Sequence, residues 1–422
     1  MKISLKQLRH IILIISLCLL SAGIGFWWGT HELKLIDGKW QLGSKQISVK
    51  KVDIVNTTAP VGKNIDFSLF WQVWSKLEEK YLIKEDIDYQ KMFYGAIQGL
   101  TASLGDPYTV FLPPQDNQQA KEDLNGSFEG VGIRLGFNDD NRLLVIAPLK
   151  GSPAEKAGVL PGDLILHLKD EAKGIDEDTL GISLPDAVKK IRGPKGSKIT
   201  LTLLHEQDDD SYQAEIERGD IVVPSVEVDF LENDTVAHLK LSRFGELTDE
   251  QWDQSVDKII NNPKTNGLIL DVRGNPGGYL SGAVNLASEF LSSGIIVRQE
   301  SYQGEKDSFS VNRKGKLLNL PMVVLIDKGS ASASEILAAA LKDNNRAELV
   351  GMPSFGKGTI QETEDLIKGA GIHITTAKWL TPNGEWIHKK GLEPDYQVDN
   401  DLTKIDEDNQ LQKAIEVLKG II

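Results

Sequence analysis

The chain has 422 residues and a formal net charge of −14 at pH 7, with 40% hydrophobic and 26% charged residues. That composition is typical of folded globular protein, and the length predicts two or three domains. The acidic balance argues against nucleic acid as a partner, because phosphate binding requires a basic face. The single cysteine, Cys18, excludes an intramolecular disulfide framework and a cysteine-based zinc site.

Residues 1–30 carry a membrane signal. A basic start, "MKISLKQLR", precedes an uncharged run from Ile11 to Gly29, which nearly spans the ~30 Å of bilayer hydrocarbon. Trp27 and Trp28 would lie at the membrane interface. We predict an uncleaved single-pass anchor in a bacterial-type cell membrane, with the rest of the chain on the extracytoplasmic side. A cleaved signal peptide, which would leave a secreted protein, is the alternative, but the run lacks an A-x-A-like cleavage site.

The next two segments differ in their hydrophobic periodicity. Residues 31–64 are polar and lack periodicity, which indicates a juxtamembrane linker. Residues 65–115 predict a small helical unit, because apolar residues recur at three- and four-residue spacing in "FWQVWSKLEEKYL". A second amphipathic helix is expected to end at the Gly-Asp-Pro of residues 105–107.

Residues 116–218 change to short apolar strands separated by turn signals. Gly130 and Gly132 flank Val131 just before a strand that begins near Ile133. Glycines there would let successive N–H groups form a nest for a carboxylate, although a tight turn is the commoner role of such residues. This loop, the strand and "GSPAEKAGVLPGDLIL" together resemble a PDZ domain, a module that adds C-terminal peptides to its sheet edge.

Residues 219–397 alternate strands and helices, which predicts a layered α/β core. "GLILDVR" and "MVVLIDK" are typical of buried strands, and "LSGAVNLASEFLSSG" and "SASEILAAALKDNN" are typical of helices. Residues 398–422 predict a helical tail whose apolar face would dock on the core or on a second subunit. That face consists of Leu411, Ala414, Ile415 and Leu418.

The stretch "GSASASE" places serines at a strand-to-helix turn, where backbone amides stabilise negative charge. Ser332 and Glu335 also fit a capping box, which is the commoner role for this motif. No histidine stands in a nucleophile context, and the missing G-x-S-x-G argues against an α/β-hydrolase esterase. Lys357, in "SFGKGTIQ", could act as a base only if burial lowered its pKa.

These blocks together resemble one family. "GDPYTVF", "IRGPKGS", "LDVRGNPGG", "VVLIDKGSASASE", "SFGKGTIQ" and "GLEPDYQV" follow in the order found in the carboxyl-terminal processing peptidases, the tail-specific Ser/Lys proteases with a PDZ domain. The resemblance covers about residues 67–395. It implies that Ser332 is the nucleophile, that Lys357 is its general base, and that Gln361 holds the lysine. It also implies an oxyanion hole formed by the N–H groups of Gly278 and Ala333.

The resulting expectation is a mixed α/β, multidomain chain with a transmembrane helix, a helical unit, a PDZ domain and an α/β protease core. The resemblance implies an acyl-enzyme serine endopeptidase without a metal or cofactor, acting on proteins or peptides with free C-termini. Gly130, Val131, Gly132 and Ile133 would bind the peptide, and Arg192 would couple that binding to the active site, as in some relatives. Because some members assemble into dimers or larger oligomers, the resemblance also suggests a homo-oligomer as a partner state of this chain. A PDZ peptide-binding scaffold with an inert catalytic pair is the alternative function.

Overall fold

The computed structural model describes residues 31–36, 39–44, 66–205, 208, 210–304, 306–399 and 408–422. The predicted anchor in residues 1–30 lies outside these residues. No helix within the described ranges is long and apolar enough to cross a bilayer. The chain divides into two compact units, Met1–Phe93 and Tyr94–Ile422, which are treated separately below.

The first unit contains a hairpin that the sequence analysis missed. Strands β1 (His31–Ile36) and β2 (Lys39–Ser44) pair antiparallel, and Ile36 lies opposite Lys39. The expectation of an irregular linker was therefore wrong for these residues. The Asp-Gly dipeptide between the strands is a strong hairpin signal that could have located them.

Helix α1 (Ser68–Lys80) confirms the first predicted helix. Its Trp74 ring stacks on Tyr89, with the ring centroids 6.1 Å apart and the planes at 16°. Leu69, Val73 and Leu77 lie at four-residue spacing on the same helix and are exposed. Part of the apolar stripe therefore remains uncovered by the described residues. The second predicted helix is α2 (Tyr89–Ala102), which ends before the Gly-Asp-Pro turn.

A β-rich region of the chain follows. Its elements are β3 (Val110–Leu112), α3 (Pro114–Asn125), β4 (Ser127–Gly130), β5 (Ile133–Phe137), β6 (Leu143–Pro148), α4 (Pro153–Lys156), β7 (Leu164–Asp170), β8 (Ile175–Asp178), α5 (Leu184–Ile191), β9 (Lys198–Leu204), β10 (Tyr212–Glu217) and β11 (Gly219–Val222). The main sheet has the antiparallel order β10-β9-β7-β6-β5, so β5 is an edge strand, and it contacts α5. The predicted strands of this region are confirmed.

Helix α3 crosses the expected domain boundary at residue 116 and was not predicted. Its sequence, "PQDNQQAKEDLN", is almost entirely polar and so carries no hydrophobic period. The terminal signals are nevertheless present, because Pro114 stands at the first helical position and Gly126 ends the helix in a left-handed conformation.

The α/β core completes the chain. Its elements are β12 (Val226–Leu231), β13 (Val236–Leu241), α6 (Thr248–Asn261), β14 (Gly267–Asp271), α7 (Leu280–Ala287), β15 (Ile295–Ser301), β16 (Lys306–Ser310), β17 (Met322–Ile326), α8 (Ala333–Asp343), β18 (Glu348–Gly351), β19 (Thr359–Asp365), β20 (Gly371–Leu380), β21 (Tyr396–Gln397) and α9 (Asn409–Ile421). The central sheet has the order β12-β13-β14-β17-β18-β21 and is parallel except at β12.

Alternate residues of the central strands pack on opposite faces of this sheet. Leu268 and Leu270 of β14 join a core with α6, α7 and α8, whereas Ile269 packs with Ala414 and Leu418 of α9. The predicted helical tail thus docks on the protease core. Helices on both faces explain why the central strands are apolar throughout.

A second sheet, of order β16-β15-β20-β19, lies beside the core, and β3 also pairs with β20. Strand β19 begins directly after the loop that follows β18. This sheet therefore places β19 and β20 next to the residues that leave the central sheet.

Candidate active site

Three loops leave the carboxyl ends of the neighbouring parallel strands β14, β17 and β18. They comprise residues 272–279, 327–332 and 352–358, and they carry the predicted oxyanion glycine, nucleophile and base. Open parallel sheets commonly place functional sites at this edge. The structure thus brings the three predicted groups to one end of the sheet.

Ser332 stands at the start of α8, half-buried, with φ 55° and ψ −114°. A positive φ at a residue with a side chain costs about 1–3 kcal/mol and persists only where the surroundings impose it. Here the Ala331 N–H donates to the Asn275 carbonyl over 3.0 Å, and the Ile336 N–H donates to the Ser332 carbonyl over 2.9 Å. The nucleophile loop is therefore held on both sides of the serine.

A buried carboxylate ties two of the loops together. Glu335 is fully buried and accepts hydrogen bonds from the N–H groups of Ser332 (2.8 Å), Gly356 (2.6 Å) and Lys357 (2.9 Å). The Ser354 hydroxyl also donates to it, over 2.5 Å. The capping motif predicted Glu335 only as a local helix-end residue, whereas the structure makes it the link between the serine and lysine loops.

The predicted oxyanion-hole groups lie at the same end of the sheet. Within the described ranges, the N–H groups of Gly278 and Ala333 donate no hydrogen bond, and Ala333 is the first residue of α8. Gly277 presses against the nucleophile, because a Cβ added there would lie 2.9 Å from the Ser332 Cβ and 2.8 Å from the Ala331 oxygen. The glycine loop therefore lies in direct contact with the serine loop.

The glycine loop, residues 272–279, is itself fixed by hydrogen bonds to the end of β13 and to the residues that follow it. The Phe244 N–H donates to the Gly277 carbonyl, and the Tyr279 N–H donates to the Phe244 carbonyl, each over 2.9 Å. The buried Asn275 side chain donates to the Leu241 carbonyl and accepts from the Gly277 N–H, also over 2.9 Å each. The sequence analysis quoted this loop without identifying Asn275, whose role depends on contacts distant in the chain.

Lys357 is half-buried, and burial lowers the pKa of its amine, while the charges of Asp106 and Glu335 act to raise it. The direction agrees with the expectation for a lysine base. The amine nitrogen, Nζ, lies 5.0 Å from the centroid of the Tyr108 ring. In the described part of the chain, no hydrogen bond joins this amine to Ser332.

Gln361 lies on β19 and donates hydrogen bonds to the hydroxyls of Thr359 (3.0 Å) and Thr375 (3.1 Å). The described residues show no hydrogen bond between Gln361 and Lys357. The expected role of Gln361 in holding the lysine therefore stays a prediction.

The loop of Asp106 and Tyr108 also faces the lysine, and the sequence analysis gave it no role. Asp106 accepts hydrogen bonds from the Thr109 hydroxyl (2.7 Å) and the Tyr108 N–H (3.1 Å). His373, on β20, has a pKa lowered first by burial and then by the charge of Lys357. The lysine is thus surrounded by groups from three separate segments. No cluster of three metal-ligating side chains occurs among the described residues.

The predicted peptide-binding loop lies next to the edge strand β5. Gly132 has a φ of 76°, its carbonyl accepts from the Leu149 N–H over 2.8 Å, and the Val131 carbonyl accepts from the Ala154 N–H over 2.9 Å. Among the described residues, the N–H groups of Val131 and Gly132 donate no hydrogen bond, as a carboxylate nest requires.

Arg192 follows α5 and lies near this loop, because a Cβ at Gly130 would be 4.0 Å from the Arg192 Cγ. Its guanidinium lies 4.5 Å from the Phe128 ring centroid and pairs with Glu122 of α3 at 3.3 Å. The arginine therefore connects the peptide-binding module to α3.

Family models match two parts of the chain. Peptidase family S41 matches residues 235–398, and a PDZ domain model matches residues 144–204. The S41 match includes the three loops at the end of the central sheet, whereas the PDZ match includes α5 and Arg192 but begins after the loop of residues 130–133.

Individual proteins are also similar. The carboxy-terminal processing protease CtpB of Bacillus subtilis is 38% identical over 314 residues, which is 74% of this chain but only 63% of that protein. A carboxyl-terminal-processing protease of Synechocystis is 36% identical over 400 residues, covering 93% of this chain and 88% of that protein. A solved photosystem II D1 C-terminal processing protease is 32% identical, with a TM-score of 0.46, over 84% of this chain and 92% of that one.

Proposed function

The chain belongs to the carboxyl-terminal processing peptidases of family S41, and from this we propose that it is a serine endopeptidase with a Ser332–Lys357 dyad. In the proposed reaction, neutral Lys357 accepts the Ser332 proton as the hydroxyl oxygen attacks a peptide carbonyl. The lysine then donates that proton to the leaving amine. Water hydrolyses the resulting acyl-enzyme and restores the serine.

One observation carries this proposal. The buried Glu335 carboxylate accepts the N–H groups of both Ser332 and Lys357, so a single group fixes the backbones of the nucleophile and the base. The lowered pKa of Lys357, caused by burial, supports its action as a base. The N–H groups of Gly278 and Ala333 are proposed to stabilise the oxyanion, where one such donor is worth about 10²–10³ in kcat.

The test is cleavage of an unfolded protein by the full chain. We expect Ser332→Ala and Lys357→Ala to abolish turnover while leaving the thermal unfolding profile unchanged. Lys357→Arg should also be inactive, because a guanidinium does not give up its proton. Ser293→Ala and Lys314→Ala, which change exposed residues of the same core, should cleave at the wild-type rate. Turnover by Lys357→Ala would rule out the dyad.

The alternative function, a peptide-binding scaffold with an inert catalytic pair, is addressed by the same assay. A scaffold would bind peptides but release no new amino termini, even from the wild type. The Glu335 contacts favour the enzyme, because they tie the serine loop to the lysine loop through one carboxylate.

We further propose that the PDZ module reads substrate C-termini. The support is the open edge strand β5, the neighbouring helix α5, and the N–H groups of Val131 and Gly132. A free carboxylate bound there would leave the preceding residues aligned along β5.

Membrane anchoring through residues 1–30 remains our proposal and rests on the sequence. It predicts that the full chain stays with membranes after carbonate extraction, whereas a chain lacking residues 2–29 does not. Release of the full chain would contradict the anchor and favour the cleaved, secreted form.

We also propose that the chain forms homo-oligomers. The support is the exposed row of Leu69, Val73 and Leu77 on α1. Replacing Leu69 and Val73 by glutamate should lower the sedimenting mass in detergent. An unchanged mass would remove this support.

A further inference from the structure

Lys357 lies among groups from three segments, and the charges of two of these groups, Asp106 and Glu335, raise the pKa of its amine. Asp106 and Tyr108 come from the loop before β3, Glu335 from α8 and His373 from β20. His388, from the loop after β20, contacts the Tyr108 ring edge-on with centroids 6.3 Å apart.

The Tyr108 ring lies directly against the Lys357 amine. The Lys357 nitrogen lies 5.0 Å from the centroid of this ring, within the range in which an aromatic face attracts a cation. Burial raises the pKa of the Tyr108 phenol, and the charges of Glu335 and Asp106 raise it further. The ring is therefore a neutral phenol whose π face is available to the ammonium.

The ring is held in place by its own loop. Asp106 accepts from the Tyr108 N–H, and the Thr109 hydroxyl that donates to Asp106 accepts from the Thr375 N–H over 3.1 Å. Thr375 lies on β20, beside Gln361 of β19. The tyrosine is thus fixed to the same sheet that follows the lysine loop.

We propose that Tyr108 is a positioning residue for the general base, whose ring holds the Lys357 amine at the site and favours its protonated form. This inference rests on the proposed function, because it requires Lys357 to be the base. The active form is then the neutral amine, and the ring opposes its formation. Removing the ring should move the rise of activity to lower pH.

The experiment measures kcat and KM against pH for the full chain. In the wild type, kcat is expected to rise with pH as Lys357 loses its proton. Tyr108→Leu should lower the midpoint of that rise by about 0.4–1.5 pH units, which corresponds to the strength of such contacts. Tyr108→Phe keeps the ring and should keep the wild-type midpoint. Tyr302→Leu changes an exposed tyrosine and serves as the matched control.

A fluorination series separates the ring's charge distribution from its packing. Phenylalanine, monofluoro-, difluoro- and trifluorophenylalanine at position 108 nearly preserve ring size but progressively weaken the negative face. The midpoint should fall stepwise along the series. If Tyr108→Leu fails to fold, the fluorinated variants still show whether the negative face of the ring sets the midpoint of the pH profile.

Asp106→Asn provides a second variant, which changes a charge near the lysine and keeps the Tyr108 ring. The Asp106 charge favours the ammonium, so its removal should also lower the midpoint. A purely structural loop would instead reduce kcat at every pH without moving the midpoint. A midpoint unchanged across the fluorinated series would overturn the role of Tyr108, whereas turnover by Lys357→Ala would overturn the dyad itself.

Discussion

Glu335 accepts the N–H groups of Ser332 and Lys357 and leaves the serine hydroxyl and the lysine amine out of this network. The backbones of the two residues are therefore fixed by one carboxylate. All four donors to this fully buried carboxylate would be left unsatisfied if the Glu335 side chain were shortened, at about 1–3 kcal/mol for each buried group. A single residue thus accounts for both the local stability and the spacing of the loops.

Gly277 offers a test of whether the spacing between the glycine loop and Ser332 determines the rate. In Gly277→Ala the new Cβ would lie 2.9 Å from the Ser332 Cβ, closer than real contacts allow, and the backbone φ of 104° disfavours any side chain. We expect kcat to fall by about 10²-fold or more, because small misplacements at a nucleophile cost that much. The measurement is kcat for cleavage of a labelled unfolded protein.

Gly274→Ala is the matched control for this change. Gly274 also has a positive φ, 66°, but a Cβ there would meet nothing within 4 Å. It should cost about 1 kcal/mol of stability without a comparable loss of kcat. Equal kcat values for the two variants would mean that contact with Ser332 does not determine the rate.

At the scale of elements, the sequence predicted the parts whose signal is local. Strands β14 and β17 are continuous apolar runs because both of their faces are covered, and α8 follows from its alanines and leucines. Helix α3 was missed because its sequence is polar. The roles of Glu335 and Tyr108 were missed for a different reason, since both depend on contacts between segments that are distant in the chain.

Helix α9 shows how a terminal element joins the core. Leu418 is fully buried against the central sheet, and Asp408 at the helix start pairs with Arg273 at 2.8 Å. Burial alone would raise the pKa of Asp408, but hydrogen bonds from Arg273 and from the Leu411 N–H hold it below its ordinary value. The contribution of this carboxylate to stability is therefore present near neutral pH and is lost as the pH falls through that lowered pKa.

We predict that Leu418→Ala detaches α9 more easily than Ile421→Ala, whose side chain is half-exposed. Truncating a buried leucine costs about 2–5 kcal/mol, whereas an exposed position costs far less. Hydrogen exchange of the α9 amides measures this opening directly. The docking would be contradicted if both variants exchanged at the wild-type rate.

At the scale of the whole molecule, a series of contacts runs from the peptide-binding module to the sheet that follows the lysine loop. Arg192 pairs with Glu122 of α3, and Asn117 of the same helix donates to Asp365 (3.0 Å) and to the Gly369 carbonyl (3.1 Å). Asp365 ends β19 and Gly369 lies in the turn before β20, and these two strands carry Gln361 and Thr375. The helix that the sequence analysis missed is therefore the connecting element.

Contact alone does not establish coupling, which is a difference in free energy between two states that both sites change. Gly132 is unsuited to testing it, because a Cβ there would lie 2.4 Å from the Ser152 Cβ and 2.9 Å from Ile221. A bulky residue at position 132 would disrupt the fold rather than block a ligand. The substrate is therefore the better place to make the change.

We predict that a substrate with a free C-terminal carboxylate is cleaved faster than its C-terminal amide. A charge-assisted hydrogen bond is worth about 1.5–3 kcal/mol, so kcat/KM should fall about 10- to 100-fold on amidation. If the effect lies in binding alone, it appears in KM, whereas coupling to the catalytic loops would also lower kcat. Glu122→Gln should then reduce the kcat difference and leave the KM difference in place, because Glu122 lies outside the N–H nest. Identical constants for the two wild-type substrates would show that the module does not read the carboxylate.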